Sequence, residues 1–284
     1  MTSTTSRTGP TTITAVVDEP PARFADLVAA EWIKVRSLRS TPWVIVLVTL
    51  VATGVAAARA LADYNNFPSY SALAQREHPF SLGDAFPAEA YLTVMLAAVA
   101  VGAIATVSEY GSGLIRTTTV AVPARGAVVL AKAVVQAVLW TVVGALVALC
   151  SFFVAQAILS GRDAAVPISD PDALRAVVAS ALLAPVCALV GLGLGVLIRH
   201  SATTVVAGSF VLLLLPVFFS SRKPLSAAFA NAMVRNAWQR LAQIYGTPTE
   251  AYNGATIAGS WTVYALWPLV TLVLALLVVR RRDV

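Results

Sequence analysis

Six apolar runs, separated by short polar stretches, dominate the pattern along the chain. They fall at about 43–61, 88–107, 126–159, 172–198, 203–219 and 260–279, and each is near or above the ~20 residues a helix needs to cross a ~30 Å hydrocarbon core. The third run has no interior proline, so as one helix it reaches about 51 Å. It should protrude from the bilayer, with Lys132 marking the protruding part. Thr41-Pro42 reads as a helix start, an N-cap oxygen followed by proline at the first helical position, and Asp170-Pro171 repeats the pattern ahead of the fourth run. Pro185 should kink that fourth helix. Trp43 suits headgroup level, and Trp261, Tyr264 and Trp267 form an interfacial belt at the start of the sixth run.

Four of the polar or mixed stretches outside these runs carry a pattern of their own. Residues 1–21, rich in Thr, Ser and Pro, read as a disordered tail. Ala22–Arg39 reads as an amphipathic helix, with Phe24, Leu27, Val28, Val35 and Leu38 at helical spacing and Lys34, Arg36 and Arg39 as its cations; such a helix lies in the membrane interface. Glu31 breaks its apolar stripe. It either pairs with Lys34 one turn on or faces another protein surface and meets a base there. Glu109–Arg125 is too polar for hydrocarbon and too short for a domain; Gly111 and Gly113 permit a change of direction, and Leu114, Ile115 and Thr118 make one face of a short helix that Pro123 ends. Between the fifth and sixth runs, Leu225, Phe229, Met233, Ala237 and Leu241 recur every fourth residue. They predict one or two amphipathic helices on, or dipping into, the opposite leaflet.

Composition narrows the class. Only 12% of residues are charged against 58% hydrophobic, where a soluble domain carries about 25% charged, so the chain is a polytopic membrane protein. Six crossings put both termini on one side. The whole +6 excess of charge falls on the side holding the tails, the 108–132 segment and the Arg199-His200-Ser201 turn, which the positive-inside rule makes cytoplasmic; Arg222 and Lys223 argue the other way. Cys150 and Cys187 both lie in apolar runs as small packing residues, and His78 reads as a solvated loop residue. No phosphate-binding loop, HExxH, CxxC or GxSxG occurs. Gly191 and Gly195 form a GxxxG that permits close helix packing. The runs hold almost no ionisable residues, unlike ion-coupled carriers, so a transporter of this kind would borrow its energy from a partner. A membrane enzyme acting on a lipid and a membrane anchor that moves nothing are the alternatives.

Glu31-Trp-Ile-Lys-Val-Arg-Ser-Leu-Arg-Ser-Thr-Pro-Trp43, together with Ser108-Glu-Tyr-Gly-Ser-Gly-Leu-Ile-Arg-Thr-Thr-Thr-Val-Ala-Val-Pro-Ala-Arg125, resembles two segments of ABC-2 type transporter permeases. The resemblance implies an all-α membrane protein: six transmembrane helices within 42–284, an N-terminal interfacial connecting helix at 22–41 and a cytoplasmic coupling helix within Glu109–Thr119. It implies the permease subunit of an ATP-driven exporter in a bacterial plasma membrane, with both termini cytoplasmic. Its partners would be two copies of an ABC ATPase, which bind the ATP and Mg, and a second permease chain, identical or homologous; no cofactor, enzymatic activity or nucleic-acid partner is expected of this chain. On this reading Glu109, Tyr110, Leu114, Ile115 and Arg116 meet the ATPase, Glu31, Trp32, Lys34, Arg36 and Arg39 belong to the connecting helix, and Pro224–Tyr245 is re-entrant.

Overall fold

The computed structural model describes residues 23–71, 82–114, 124–162, 165–219, 223–242 and 254–281. All regular structure among them is helical. Helix α1 (Phe24–Ser37) precedes the long apolar helices α2 (Ser40–Asn66), α3 (Ala88–Gly111), α4 (Arg125–Leu159) and α5 (Pro171–Ile198). Helix α6 (Ser201–Ser209) continues as a π-helical turn, Phe210–Leu214, and a 3-10 turn, Leu215–Phe218. Two short helices, α7 (Pro224–Asn231) and α8 (Val234–Leu241), lead to α9 (Ile257–Arg281). Six of these segments, α2 to α5, the α6 segment and α9, are long and apolar enough to cross a membrane, as a multi-pass membrane protein requires.

Helix α5 is the axis of the bundle, packing on α3, α4 and α9. Its inward line is made of small residues, among them Ala176, Ala179, Ala184, Cys187, Ala188 and Gly191, all buried. Without side-chain bulk the backbones approach closely, which is how helices gain contact where lipid is as apolar as leucine. A Cβ on Gly191 would stand 2.2 Å from the Val99 carbonyl oxygen of α3, and one on Gly195 3.0 Å from that of Ala103. Both glycines of the GxxxG therefore face α3. Asp170 caps α5 as its sequence predicts, its Oδ1 accepting from the amides of Asp172 (2.8 Å) and Ala173 (3.1 Å). Pro185 lies inside the helix without ending it.

Three local expectations are corrected. Helix α2 begins at Ser40, with Arg39 at its N-cap, so Thr41 does not cap it. Pro42 is accommodated because the first four amides of a helix have no intrahelical acceptor to lose. Tyr264 does not belong to a surface belt: it is buried and donates to the Ala179 carbonyl (3.0 Å). The four-residue stripe between the fifth and sixth runs splits at Ala232–Met233. Met233, Ala237 and Leu241 are buried, whereas Leu225 and Phe229 are exposed, because the break re-aims α8 onto α5 and α9. Trp238 anchors α8 there, stacking on Tyr91 at 4.8 Å and donating to Ser180 Oγ at 3.0 Å.

The π turn has an identifiable cause. Pro216 has no amide with which to continue the ladder, and the Leu215 amide bonds back to the Phe210 carbonyl, five residues away. Arg235 Nη1 on α8 donates to the Leu213 carbonyl at 3.4 Å.

At the end of the bundle holding the α2–α3 connection, Asp63 accepts from the Tyr70 hydroxyl, and Arg59 pairs with Glu89 at 2.6 Å. Asp84, in the single helical turn Leu82–Ala85, has its carboxyl pushed up to about 7 by burial and the neighbouring Asp63, against the pull of Arg59. As a carboxylate its buried Oδ2 has no hydrogen-bond donor among the described residues; protonated, it becomes a donor itself. A folded-state pKa above the unfolded value means stability present in full below about pH 4 and lost as pH rises through 7. We expect the apparent Tm of the wild type to fall by about 2–4 °C between pH 5 and 8.5, and that of Asp84→Asn to stay level. Parallel profiles would remove Asp84 from this account.

Candidate functional site: a four-charge clasp

The site grows from three helix ends. The side of α1 turned to the bundle carries Leu27, Val28 and Val35, all half-buried, with Glu31 at its centre as the one fully buried residue of the helix. Phe24 and Leu38, expected on the same stripe, are exposed, as are Trp32, Lys34, Arg36 and Arg39. Helix α1 packs mainly on α4, where Lys132 stands two turns in from the start, 5% exposed. Glu109 stands on the last turn of α3, also 5% exposed.

These residues meet. Glu31 Oε1 accepts from Lys34 Nζ (2.7 Å) and Oε2 from Lys132 Nζ (2.6 Å). Glu109 Oε1 accepts from both lysines, Lys34 at 2.7 Å and Lys132 at 2.9 Å. Two acids and two bases thus close a neutral ring across α1, α3 and α4. Burial disfavours the Lys34 ammonium, but its bonds to Glu109 and Glu31 outweigh that and hold its pKa above the ordinary lysine value. Glu31 takes the lysine one turn on and also a base from another helix of its own chain.

Each half of the ring is neutral by itself. Glu31 and Lys34 pair within α1, and Glu109 and Lys132 pair within the bundle. The cross pairs, Glu31–Lys132 and Lys34–Glu109, tie the halves together. Taking one partner from a buried pair costs about 3–5 kcal/mol because a charge is stranded. Parting α1 from the bundle strands none.

The other expected site residues spread over this end of the molecule. Glu109 is internal, its Oε1 taken by lysines of its own chain, which corrects its placement as an outward-facing contact. The Tyr110 ring lies under the Arg199 guanidinium, 5.0 Å from its centroid, joining the end of α3 to the end of α5, where Arg199 adopts a left-handed φ of 61°. Gly111 is still helical; the change of direction falls at Gly113, whose φ of 74° suits glycine. Leu114 follows, 55% exposed. Ile115, Arg116 and the rest of the expected short helix lie outside the described residues, as do His78 and Gly246.

Two members of the site were not expected from the sequence. Lys132 read only as marking the protruding part of the third helix, and Gln136, one turn further along α4 and 1% exposed, was not singled out. The signal available was their i, i+4 spacing in an otherwise apolar run. No protein-family model matches the chain, and no curated protein matches it.

Proposed function

We propose that the chain is the membrane subunit of an ATP-driven exporter of the ABC-2 type, moved by a separate ATPase. One observation carries the reading. Helix α3 ends two residues after Glu109 and α4 begins seven residues before Lys132, and both residues grip α1. A push on the segment between α3 and α4, or on α1, therefore arrives at one rigid junction of three helices. Buried ionic networks act as such junctions because they have few alternative arrangements of equal energy.

In this reading the junction faces the cytoplasm, α1 rests in the interface, and ATP and Mg are bound by the partner. Closure of two ATPase subunits presses the segment beginning at Leu114, and the clasp passes the displacement to α3 and α4, and through their long contact to α5. The contact residues are Leu114, Ile115 and Arg116; Glu109 serves from inside.

The test is co-purification with an ABC ATPase, sought first among the products of any neighbouring genes. Leu114→Arg should lower ATPase recovery about tenfold or more while leaving the melting profile of the permease unchanged. Undiminished recovery together with undiminished vesicle transport would overturn the contact. Labelling of a cysteine at Ser112 by an impermeant reagent from outside the cell would overturn the whole reading.

A further inference from the structure

Beside the clasp lies a cavity of about 190 Å³. Its floor is buried and polar: Glu31, Glu109, Lys132 and Gln136. Its mouth is lined by exposed residues, Leu38 of α1, Ser108 of α3 and Leu114. The hydrogen bonds on the floor leave a specific remainder. Gln136 Oε1 is buried with no partner among the described residues, and a buried acceptor without a donor costs about 1–3 kcal/mol. Both lysine bonds to Glu109 fall on Oε1, so Oε2 takes no hydrogen bond among the described residues. The two lysines each spend two N–H groups on the ring, and Lys34 is 44% exposed at its side chain. The floor therefore asks for a donor, while the rim offers a cation.

We infer that this cavity binds the headgroup of a phospholipid carrying a primary ammonium. With the Gln136 amide, now shut from solvent, turned into the cavity, the ammonium supplies N–H groups to its Oε1 and to Glu109 Oε2, the phosphate sits by the free face of Lys34, and the chains pass out over Leu38 and Leu114. Position agrees with chemistry: the clasp joins the last turn of α3 and the third turn of α4 to a helix outside the six long spans, so it lies toward an end of the bundle, where headgroups would meet it. Such a lipid stabilises the closed clasp, because its headgroup touches α1 and α3 together. The inference rests on the chain crossing a membrane and on nothing in the exporter reading.

Ethanolamine and choline lipids test it, since they share the phosphate and differ in that the trimethylated nitrogen has no N–H. The full-length protein is passed through vesicles of equal parts phosphatidylethanolamine, phosphatidylcholine and phosphatidylglycerol, and lipids retained after detergent extraction are counted by native mass spectrometry. Ethanolamine lipid should be held about tenfold over choline lipid, as one charge-assisted hydrogen bond would give, with mono- and dimethylated headgroups between them. Soluble phosphoethanolamine at millimolar concentration should not displace it; displacement would overturn the lipid as the source of the headgroup. Gln136→Leu, which deletes the unpaired amide and keeps its volume, should bring ethanolamine and choline lipids close to parity. Equal retention of the two by the wild type would overturn the inference without any variant. So would preference for the glycerol lipid, or an ethanolamine preference that survives in Gln136→Leu.

Discussion

Lys132→Met should be among the most damaging single substitutions in this chain, lowering the apparent Tm in detergent by roughly 10 °C. The lysine is buried and holds two carboxylates at 2.6 and 2.9 Å. Its loss leaves Glu31 and Glu109 sharing Lys34, one net negative charge in a place with little water. The expected cost is about 3–5 kcal/mol. Glu109→Gln should cost a similar amount with the opposite sign of stranded charge. Combining the two removes one acid and one base, restores neutrality and should recover most of the lost stability, so the coupling between the sites should be large. Additive losses in the double variant would show that the ring is not one electrostatic unit.

The ring also separates stability from mechanical connection. Any acid-plus-base deletion leaves a neutral pair, but the four possible pairs differ in what they join. Glu109→Gln with Lys132→Met leaves Glu31–Lys34, which lies wholly within α1. Glu31→Gln with Lys132→Met leaves Lys34–Glu109, which still ties α1 to α3. The two variants should melt alike. A spin label at Ala30, which is exposed, should gain mobility only in the first. If α1 delivers force, ATP-driven transport should fall only in the first as well. Equal transport in both would confine the clasp to holding the fold.

The six long helices were legible because span length and hydropathy are local properties that the bilayer enforces on every crossing. Glu31 was legible as a misfit, a carboxylate inside an apolar stripe. Its partner on α4 was not, because Lys132 lies 101 residues away and nothing in a single sequence sets the register of one helix against another. Lys132 read as a boundary charge for the same reason: whether a lysine near a helix end snorkels or is covered depends on whether α1 lies over it. The widened turn at Phe210–Leu214 had a local signal in Pro216, but a proline near the end of an apolar run more often only marks the end. The split of the stripe between α7 and α8 had none that spacing alone could show, since residues repeating every fourth position share a face only while the helix is continuous.

Gly102→Ala and Gly144→Ala should be nearly as harmful as loss of the clasp, although each adds a single methyl group. A Cβ on Gly102 would stand 2.0 Å from the Ala188 carbonyl oxygen, and one on Gly144 2.0 Å from that of Ala181. Both obstacles are backbone of α5, which no rotamer change can move aside, so relief requires the helices to part. Parting α3 from α5 or α4 from α5 opens the largest interfaces in the bundle, and overpacking of this kind costs about 1–3 kcal/mol or more. Gly54 of α2 is the internal control. A Cβ there meets nothing within 4 Å, and alanine in a helix is favoured over glycine by about 1 kcal/mol, so Gly54→Ala should hold or raise the Tm. Gly191→Ala should fall with the first pair, at 2.2 Å from the Val99 oxygen. Gly195→Ala, at 3.0 Å, should be milder, because a few tenths of an ångström suffices there. Measured in one detergent, the order should follow the clash distances. A Gly102→Ala protein as stable as Gly54→Ala would mean that α3 and α5 are not seated backbone to backbone.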